Sequence, residues 1–181
     1  TSVVADIPAW EEEALRNLYT SAGGPGWTRS ANWMTNTSPC TWQGVNCNRA
    51  GTNVVDLELS SNNLVGTLNQ DIGALSELLF LAVDLWNQHL TGPIPRSVGN
   101  MTKLELFTIA GATDHGGEAD NLSGPIPEEL CQLTNLYVFH AGFNSLTSAP
   151  DCLCKLPSQS CDLSGNPIES CLLYTSPSPR D

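Results

Sequence analysis

The chain of 181 residues is acidic, with 7 basic residues against 19 acidic residues and a formal net charge of −12. Sequence-independent binding to DNA or RNA needs clustered cations, and an anionic membrane surface attracts basic segments, so this charge argues against both kinds of partner. Charged residues make up only 14% of the chain and hydrophobic residues 40%, which indicates a folded protein rather than a disordered acidic tail.

The two ends of the chain carry signals of their own. There is no initiator Met and no signal-peptide pattern at Thr1, so we expect the chain to be processed or a fragment. The longest apolar run, residues 78–83, is six residues long, which is too short to cross a bilayer. Residues 171–181 resemble the in-frame translation of a sequencing-library adapter, with a Ser/Pro-rich disordered tail as the alternative. We expect trustworthy sequence to end near Ser170.

The first 53 residues begin with a predicted amphipathic helix over residues 5–19. Asp6 is its predicted N-cap, and three glutamates at 11–13 lie early in the helix, where the helix dipole favours them. Three aromatic motifs follow: Gly23-Gly-Pro-Gly-Trp27, Asn32-Trp33 and Cys40-Thr-Trp42-Gln-Gly44-Val45-Asn-Cys47. These tryptophans could form an aromatic ligand site, but we favour a cover over the open end of the adjoining core.

A repeat with a unit of about 24 residues runs through the rest of the chain. The pattern L-x-L-x-x-N-x-L starts at Leu57, Val83, Phe107, Phe139 and Cys161, and closes at Leu64, Leu90, Leu122, Leu146 and Ile168. Gln88 and Asp120 replace the Asn in the second and third copies. Two extra residues precede Leu90, and eight more fall within the polar, Gly-rich stretch 111–119, which predicts a surface loop.

The residues after each closing Leu form a second signature. Leu90-Thr-Gly-Pro-Ile-Pro95 recurs as Leu122-Ser-Gly-Pro-Ile-Pro127, and these prolines exclude a helical bundle. Alternation in L-x-L predicts a short strand with its leucines in the core, and strands of successive copies stack in parallel. We expect each Asn to satisfy backbone groups at the bend, and each Pro-Ile-Pro to run extended with Ile inward.

Together these motifs resemble plant-type leucine-rich repeats, L-x-x-L-x-L-x-x-N-x-L-x-G-x-I-P, over about residues 54–168. The helix and aromatic motifs of the first block resemble the cap that precedes such repeats. The resemblance implies an α/β repeat solenoid, a right-handed superhelix with a parallel β-sheet on its concave face and a helical N-terminal cap. It divides the chain into a capping domain at 1–53, about five repeats at 54–170, the last atypical, and the adapter at 171–181.

The seven cysteines and three sequons point to an oxidising, extracellular or cell-surface location. No zinc-type C-x2-C spacing or nearby His accompanies Cys40 and Cys47, so we expect a disulfide between them and no metal or cofactor. Cys131 and Cys154 occupy matching positions of adjacent repeats, about 5 Å apart, and predict a second disulfide. The pairing of Cys152, Cys161 and Cys171 stays open. The predicted glycosylation sites are Asn36, Asn100 and Asn121.

Strand parity predicts the residues that face the concave side. The candidate ligand-binding residues are Asp56, Glu58, Asp84, Trp86, Thr108, His140 and Phe143. Exposed aromatic side chains beside charged ones make a credible binding patch, although Trp86 could equally pack on a neighbouring strand. His115 with the acids around it reads as a solvated loop rather than a cation site. No nucleophile motif or phosphate loop accompanies His140, so catalysis is not expected.

The leading functional hypothesis is an extracellular recognition module. Similar repeat arrays form ectodomains of cell-surface receptors and secreted defence proteins, which implies a peptide, glycan or protein ligand on the concave face. The alternative is a secreted enzyme inhibitor, resembling the polygalacturonase inhibitors. Ice binding would need a regular row of small polar residues, and the row through Glu58, Thr108 and His140 is too mixed. A transmembrane helix and kinase after residue 170 would favour the receptor.

Overall fold

The computed structural model describes residues 6–83, 89–111, 122–153 and 160–168. Within these residues one α-helix, α1 (Ala9–Ser21), precedes ten short strands. The strands are β1 (Val45–Cys47), β2 (Val54–Glu58), β3 (Val65–Thr67), β4 (Phe80–Ala82), β5 (His89–Thr91), β6 (Leu106–Thr108), β7 (Ser123–Pro125), β8 (Val138–His140), β9 (Ser145–Ser148) and β10 (Ser160–Asp162). Short 3-10 turns lie at Gly24–Gly26, Pro39–Thr41, Gln70–Ala74, Arg96–Asn100 and Glu128–Gln132.

The main sheet contains six strands in the order β1-β2-β4-β6-β8-β10. Only β1 runs antiparallel to its neighbour β2, while the other four pairings are parallel. A parallel sheet follows because each repeat crosses back before it adds its strand beside the last. Two smaller parallel pairs, β3-β5 and β7-β9, form where each repeat leaves the main sheet. The structure is therefore the predicted repeat solenoid.

The register of the second repeat differs from the expected one. Leu57 of β2 pairs with Leu81 of β4, so the inward L-x-L of this repeat is Leu81-Ala-Val83 rather than Val83-Asp-Leu85. Both Leu81 and Val83 are buried. Val83 fits either pattern, since the alternation of period two continues through residues 81–85. The two extra residues consequently fall after Val83, where residues 84–88 lie outside the described part of the chain.

The Asn at each bend does what the pattern predicts. Asn144 Nδ2 donates to the carbonyls of Ile109 at 2.9 Å and Ala141 at 3.1 Å, and its Oδ1 accepts from the Leu122 N–H at 3.1 Å. Asn166 repeats the arrangement one step on, donating to the Ala141 carbonyl. Asn144 and Asn166 thus each tie their own repeat to the preceding one through backbone groups at the bend.

The Pro-Ile-Pro segments run extended, with Ile94 and Ile126 buried in the core as expected. The Gly before each segment has a positive φ, +77° at Gly92 and +80° at Gly124. This left-handed conformation is one that glycine adopts without steric cost. The second signature therefore turns the chain away from the sheet and then returns an apolar side chain to the core.

The cap helix starts later than predicted and without a side-chain cap. α1 begins at Ala9 after Pro8, and Asp6 instead accepts hydrogen bonds from the Ile7 N–H at 3.0 Å and the Ser38 hydroxyl at 2.8 Å. Proline at the start fixes a backbone φ that suits helix entry. Asp6 therefore anchors the chain before the helix rather than capping it.

Glu11 is the unexpected buried charge of the cap, with 1% of its surface exposed. Its carboxylate accepts from the Asn53 side-chain amide and from the Val54 backbone N–H, each at 2.8 Å. Val54 opens β2, so this carboxylate joins the cap helix to the first strand of the repeats. Such charge-assisted bonds are what make a buried carboxylate tolerable.

The cap tryptophans cover the core, in agreement with the favoured interpretation. Trp27, Trp33 and Trp42 are all buried and contact one another through ring centroids 4.9 Å and 5.0 Å apart. Their indole N–H groups donate to backbone carbonyls, as at Trp33 to Gln43 (2.8 Å). A buried indole whose N–H is already bonded has the features of a packing element rather than a ligand contact.

Of the two predicted disulfides, one is present in the structure and the other has a different partner. Cys40 and Cys47 are bonded, with 5.4 Å between their Cα atoms. Cys131 is bonded to Cys152, with 5.6 Å between Cα atoms, so the predicted pairing with Cys154 is wrong. Cys154 itself lies outside the described residues.

The correction has a geometric reason in how the 3-10 turns stack. Each turn has a central buried apolar residue: Ile72, Val98, Leu130 and Leu153 in chain order. The residue directly after it in one turn faces the residue directly before it in the next turn. The facing pairs are Gly73 with Ser97, Gly99 with Glu129, and Cys131 with Cys152. A methyl group built on Gly99 would lie only 2.6 Å from the Glu129 Cβ. Stacked turns are therefore offset by two positions, and equivalent positions do not face each other.

This offset predicts different outcomes for two neighbouring cysteines. In Cys152→Ser, we expect alkylation of denatured protein to label Cys131, and the free energy of unfolding to fall by about 3 kcal/mol, as for a closed loop of this size. In Cys154→Ser, Cys131 should stay protected from alkylation. Labelling of Cys131 in Cys154→Ser but not in Cys152→Ser would restore the original pairing.

Candidate functional site

The face of the main sheet opposite the core carries two rows of side chains. The first row consists of Asn46, Asp56, Phe80, Leu106, Val138 and Ser160, and the second of Glu58, Ala82, Thr108, His140 and Asp162. Between them runs the inward row Leu57, Leu81, Phe107 and Phe139, whose side chains are all fully buried. Alternation along each strand puts the two outer rows on the concave face.

The structure places only some of the predicted site residues in these rows. Asp56, Glu58 and His140 lie there with exposed or half-exposed side chains, whereas Thr108 is buried, with 8% of its surface exposed. Thr108 is therefore not an accessible contact: it stands between Ala82 and His140 on adjoining strands. Asp84 and Trp86 lie outside the described residues. Ala82, not Asp84, occupies the second row beside Glu58.

The predicted ligand-binding residues did not include a group of apolar side chains in the middle of the concave face. Phe80, Leu106 and Val138 sit side by side on β4, β6 and β8, and each is half-buried. We call these three residues the apolar strip. The sequence could have indicated Phe80, because it lies two residues before Ala82 and so on the same face of the strand. It was not predicted because the expected register started the strand pattern of this repeat at Val83 instead of Leu81. Adjacent strands lie roughly 4.8 Å apart, so the strip spans roughly 10 Å.

Two carboxylates stand at the β2 end of the strip. Asp56 pairs across the sheet with Phe80, and its Oδ2 accepts from the Asn46 amide at 3.0 Å. The pKa of Asp56 lies above its ordinary value, chiefly because the carboxyl is partly buried. The hydrogen bond from Asn46 opposes this rise, and the nearby negative charge of Glu58 adds to it. Glu58 is exposed and accepts from the Ser60 N–H at 3.0 Å.

One carboxylate, Asp162, stands at the other end, on β10 beside His140. It is exposed, and its Oδ1 accepts from the Ser164 N–H at 2.9 Å. The hydrogen bonds from the side chain and backbone of Ser164, and then the charge of His140, lower the pKa of Asp162 in spite of partial burial. Asp162 therefore keeps its negative charge to a lower pH than an ordinary aspartate.

Phe143 adopts a backbone conformation that is rare for a bulky residue. Its φ is +55° and its side chain is 40% exposed. The equivalent residues before the bend Asn in other repeats are Ser61 and Gly165, also with positive φ. The Phe143 ring lies over Gly165, where a built Cβ would come within 2.7 Å of Cδ1. The positive φ therefore belongs to the bend of the repeat, and Phe143 differs from its equivalents in its bulky, exposed ring, which keeps it a candidate at the rim of the face.

The predicted glycosylation sites are placed as follows. Asn36 and Asn100 are both exposed, as a glycosylated Asn must be, whereas Asn121 lies outside the described residues. Within residues 6–83, 89–111, 122–153 and 160–168, no group of three or more His, Cys, Asp or Glu side chains is arranged to hold a metal ion. None of the helices in this same part of the chain has the length and apolarity that crossing a bilayer requires.

Comparison with known proteins gives a consistent set of similarities. Residues 10–48 match the family model described as leucine rich repeat N-terminal domain. The chain is 31% identical over 130 residues to the LRR receptor-like serine/threonine-protein kinase GSO2 of Arabidopsis thaliana, a match that covers 70% of this chain and 8% of the kinase. The chain thus spans a small fraction of the length of this curated relative.

Solved structures share the fold. A plant ice-binding protein superposes with a TM-score of 0.72 and 25% identity, over 88% of this chain and 49% of that protein. The plant peptide hormone receptor RGFR1 in complex with RGF2 superposes with a TM-score of 0.56 and 30% identity, over 71% of this chain and 18% of the receptor chain.

Proposed function

This chain is a plant-type leucine-rich-repeat protein with an N-terminal cap, and we propose that it recognises a peptide or protein ligand on the concave face of its main sheet. Its location is extracellular or at the cell surface. The fold class to which the relatives' ectodomains belong is non-enzymatic. In this proposal residues 1–53 seal the solenoid and the repeats at 54–170 present the ligand-binding surface.

The observation that carries the proposal is the apolar strip. Phe80, Leu106 and Val138 each leave part of an apolar side chain open to solvent, side by side. Apart from Ala82, the other described positions of the two rows are charged or polar. A folded chain gains stability by covering such groups, and contiguous exposed apolar surface bordered by polar residues marks interaction sites. Relatives support a ligand-binding role, since RGFR1 is a peptide hormone receptor solved with RGF2.

The mixed composition of the concave face is relevant to two other functions, ice binding and enzyme inhibition. The second row contains carboxylates at Glu58 and Asp162 and an imidazole at His140, so it lacks the repeated small polar residues that an ice-binding row would need. Likeness to the ice-binding protein supports the shared fold. An enzyme inhibitor of the polygalacturonase-inhibitor type would use the same acidic face against a basic partner.

A paired selection from random twelve-residue displayed peptides tests the proposal. One arm uses the wild-type protein and the other Val138→Arg, which places a long charged side chain in the apolar strip. Peptides enriched on the wild type should bind Val138→Arg at least tenfold more weakly. Leu106→Glu provides a second blocked variant, and unchanged thermal unfolding confirms that each variant is folded.

The matched control is Thr134→Arg, an exposed position in the turn that follows the 3-10 segment Glu128–Gln132, away from the main sheet. It adds the same charge without touching the concave face, so binding should be unchanged. Equal enrichment of the same peptides on wild-type protein and both blocked variants would place ligand binding elsewhere and overturn the proposal.

A further inference from the structure

We infer that the ligand is an extended protein segment with one basic residue at each end of a short apolar run, the two basic residues lying about six positions apart. This inference rests on the proposed recognition function and specifies the chemistry of its ligand. It follows from the order in which the concave face places its acidic and apolar side chains.

The first step is the charge at the two ends. Asp56 and Glu58 border the apolar strip on β2. On β10 the row of the strip ends at Ser160, which pairs with Val138, and Asp162 lies diagonally across from Val138, in the second row beside His140. The strip between them lies on β4, β6 and β8, which carry no carboxylate in either outer row. Among the described residues of the two rows, the carboxylates are thus divided between the two ends. An anionic or uncharged ligand would gain nothing from this division, whereas a ligand with two separated cations complements it.

The cations of the protein leave both ends negative. Arg29 reaches the β2 end, where its guanidinium donates to the Ser60 carbonyl, and it supplies one positive charge against the two carboxylates of β2. His140 lies next to Asp162 on the adjoining strand, and the lowered pKa of Asp162 keeps this aspartate charged. The chain as a whole carries a net charge of −12. Long-range attraction and the local charges therefore favour the same basic ligand.

The second step is the distance between the two ends. From β2 to β10 the sheet takes four strand-to-strand steps, which amounts to roughly 19 Å at roughly 4.8 Å a step. An extended chain advances roughly 3.3 Å per residue, so about six residues cover this distance. The three strip residues then contact the middle of the segment. A ligand lying across the strands therefore meets the β2 carboxylates first and the apolar strip next, and it reaches Asp162 by crossing from the row of the strip to the second row.

A designed peptide tests this spacing directly. The probe is a fluorescein-labelled seven-residue peptide with Arg at both ends and Leu-Thr-Val-Thr-Leu between them, measured by fluorescence anisotropy at low ionic strength. It should bind about fivefold more tightly than either peptide in which one Arg is replaced by Gln, since one exposed charge pair contributes up to about that factor. A peptide with the two Arg residues three positions apart should lose the same advantage.

Two protein variants assign the ends. Asp162→Asn and Glu58→Gln each keep the size of the side chain and should each remove the advantage of the second Arg. Glu128→Gln, an exposed carboxylate on a 3-10 turn away from the sheet, should leave it intact. Equal affinity for peptides with one and two Arg residues, or equal effects of Asp162→Asn and Glu128→Gln, would overturn the inference.

The displayed peptides separate this failure from failure of the proposed function. Peptides that need the concave face but lack the paired basic residues would reject the inference and leave the recognition function standing. If no peptide distinguished the wild type from Val138→Arg, the recognition function itself would fail. Enrichment of peptides with two basic residues five to seven positions apart would support both.

Discussion

Asn144→Ala is expected to lower the free energy of unfolding by about 3 kcal/mol. The side chain is buried and bonds the carbonyls of Ile109 and Ala141 and the N–H of Leu122. Alanine leaves the Leu122 N–H without its acceptor in the core, and an orphaned buried group costs about 1–3 kcal/mol in addition to the lost bonds. Urea unfolding followed by circular dichroism measures the change.

The matched control is Asn135→Ala. Asn135 is exposed and donates one hydrogen bond, to the Thr102 carbonyl at 2.8 Å. Water can replace this bond, so the loss should stay below about 1 kcal/mol. Hydrogen exchange adds a local readout, since the Leu122 amide should lose protection in Asn144→Ala and keep it in Asn135→Ala. Similar stability losses in both variants would show that the bend Asn does not carry the stacking of the repeats.

Glu11→Ala is expected to destabilise the protein by a similar amount, about 3 kcal/mol, through the joint between cap and repeats. It removes two charge-assisted hydrogen bonds, to the Asn53 amide and the Val54 N–H, each contributing about 1.5–3 kcal/mol, partly offset because a charge is no longer buried. Urea unfolding again measures the loss. Protection of the Val54 amide from hydrogen exchange should fall as well, because β2 starts there.

Two further variants sharpen this test. Glu13→Ala removes an exposed carboxylate two residues along the same helix, and should change stability by less than about 0.5 kcal/mol. Glu11→Gln keeps the shape but offers only one acceptor oxygen for two donors, so it should recover less than half of the loss. Full recovery by Gln would mean that packing, rather than hydrogen bonding to β2, explains the role of Glu11.

The two-position offset between stacked turns explains why the sequence pattern predicted the wrong partner for Cys131. Matching strings around Cys131 and Cys154 predicted a bond between equivalent positions of adjacent repeats. Which positions face each other depends on how one turn sits on the next, and the closeness of Gly99 to Glu129 reveals a diagonal relation. The same relation brings Cys131 to Cys152. Such an offset is a property of two repeats together and leaves no mark within one.

The sequence by itself determined the repeat, the inward faces of its strands and the bend Asn, because each follows from periodicity and chemistry within a single unit. It also determined that the aromatic block seals the core and that Cys40 can bond Cys47, seven residues away. These features are local, so residues close in the chain decide them.

Only the tertiary structure decided the register of the second repeat, the burial of Glu11 and the composition of the concave face. Val83 satisfied two alternations equally well, and pairing of Leu57 with Leu81 selected one of them. That choice brought Phe80 into line with Leu106 and so created the apolar strip. A shift of two residues preserves which side chains point inward but changes which neighbours they meet across the sheet. The candidate site depends on those neighbours, and contacts between strands more than twenty residues apart in the chain set them.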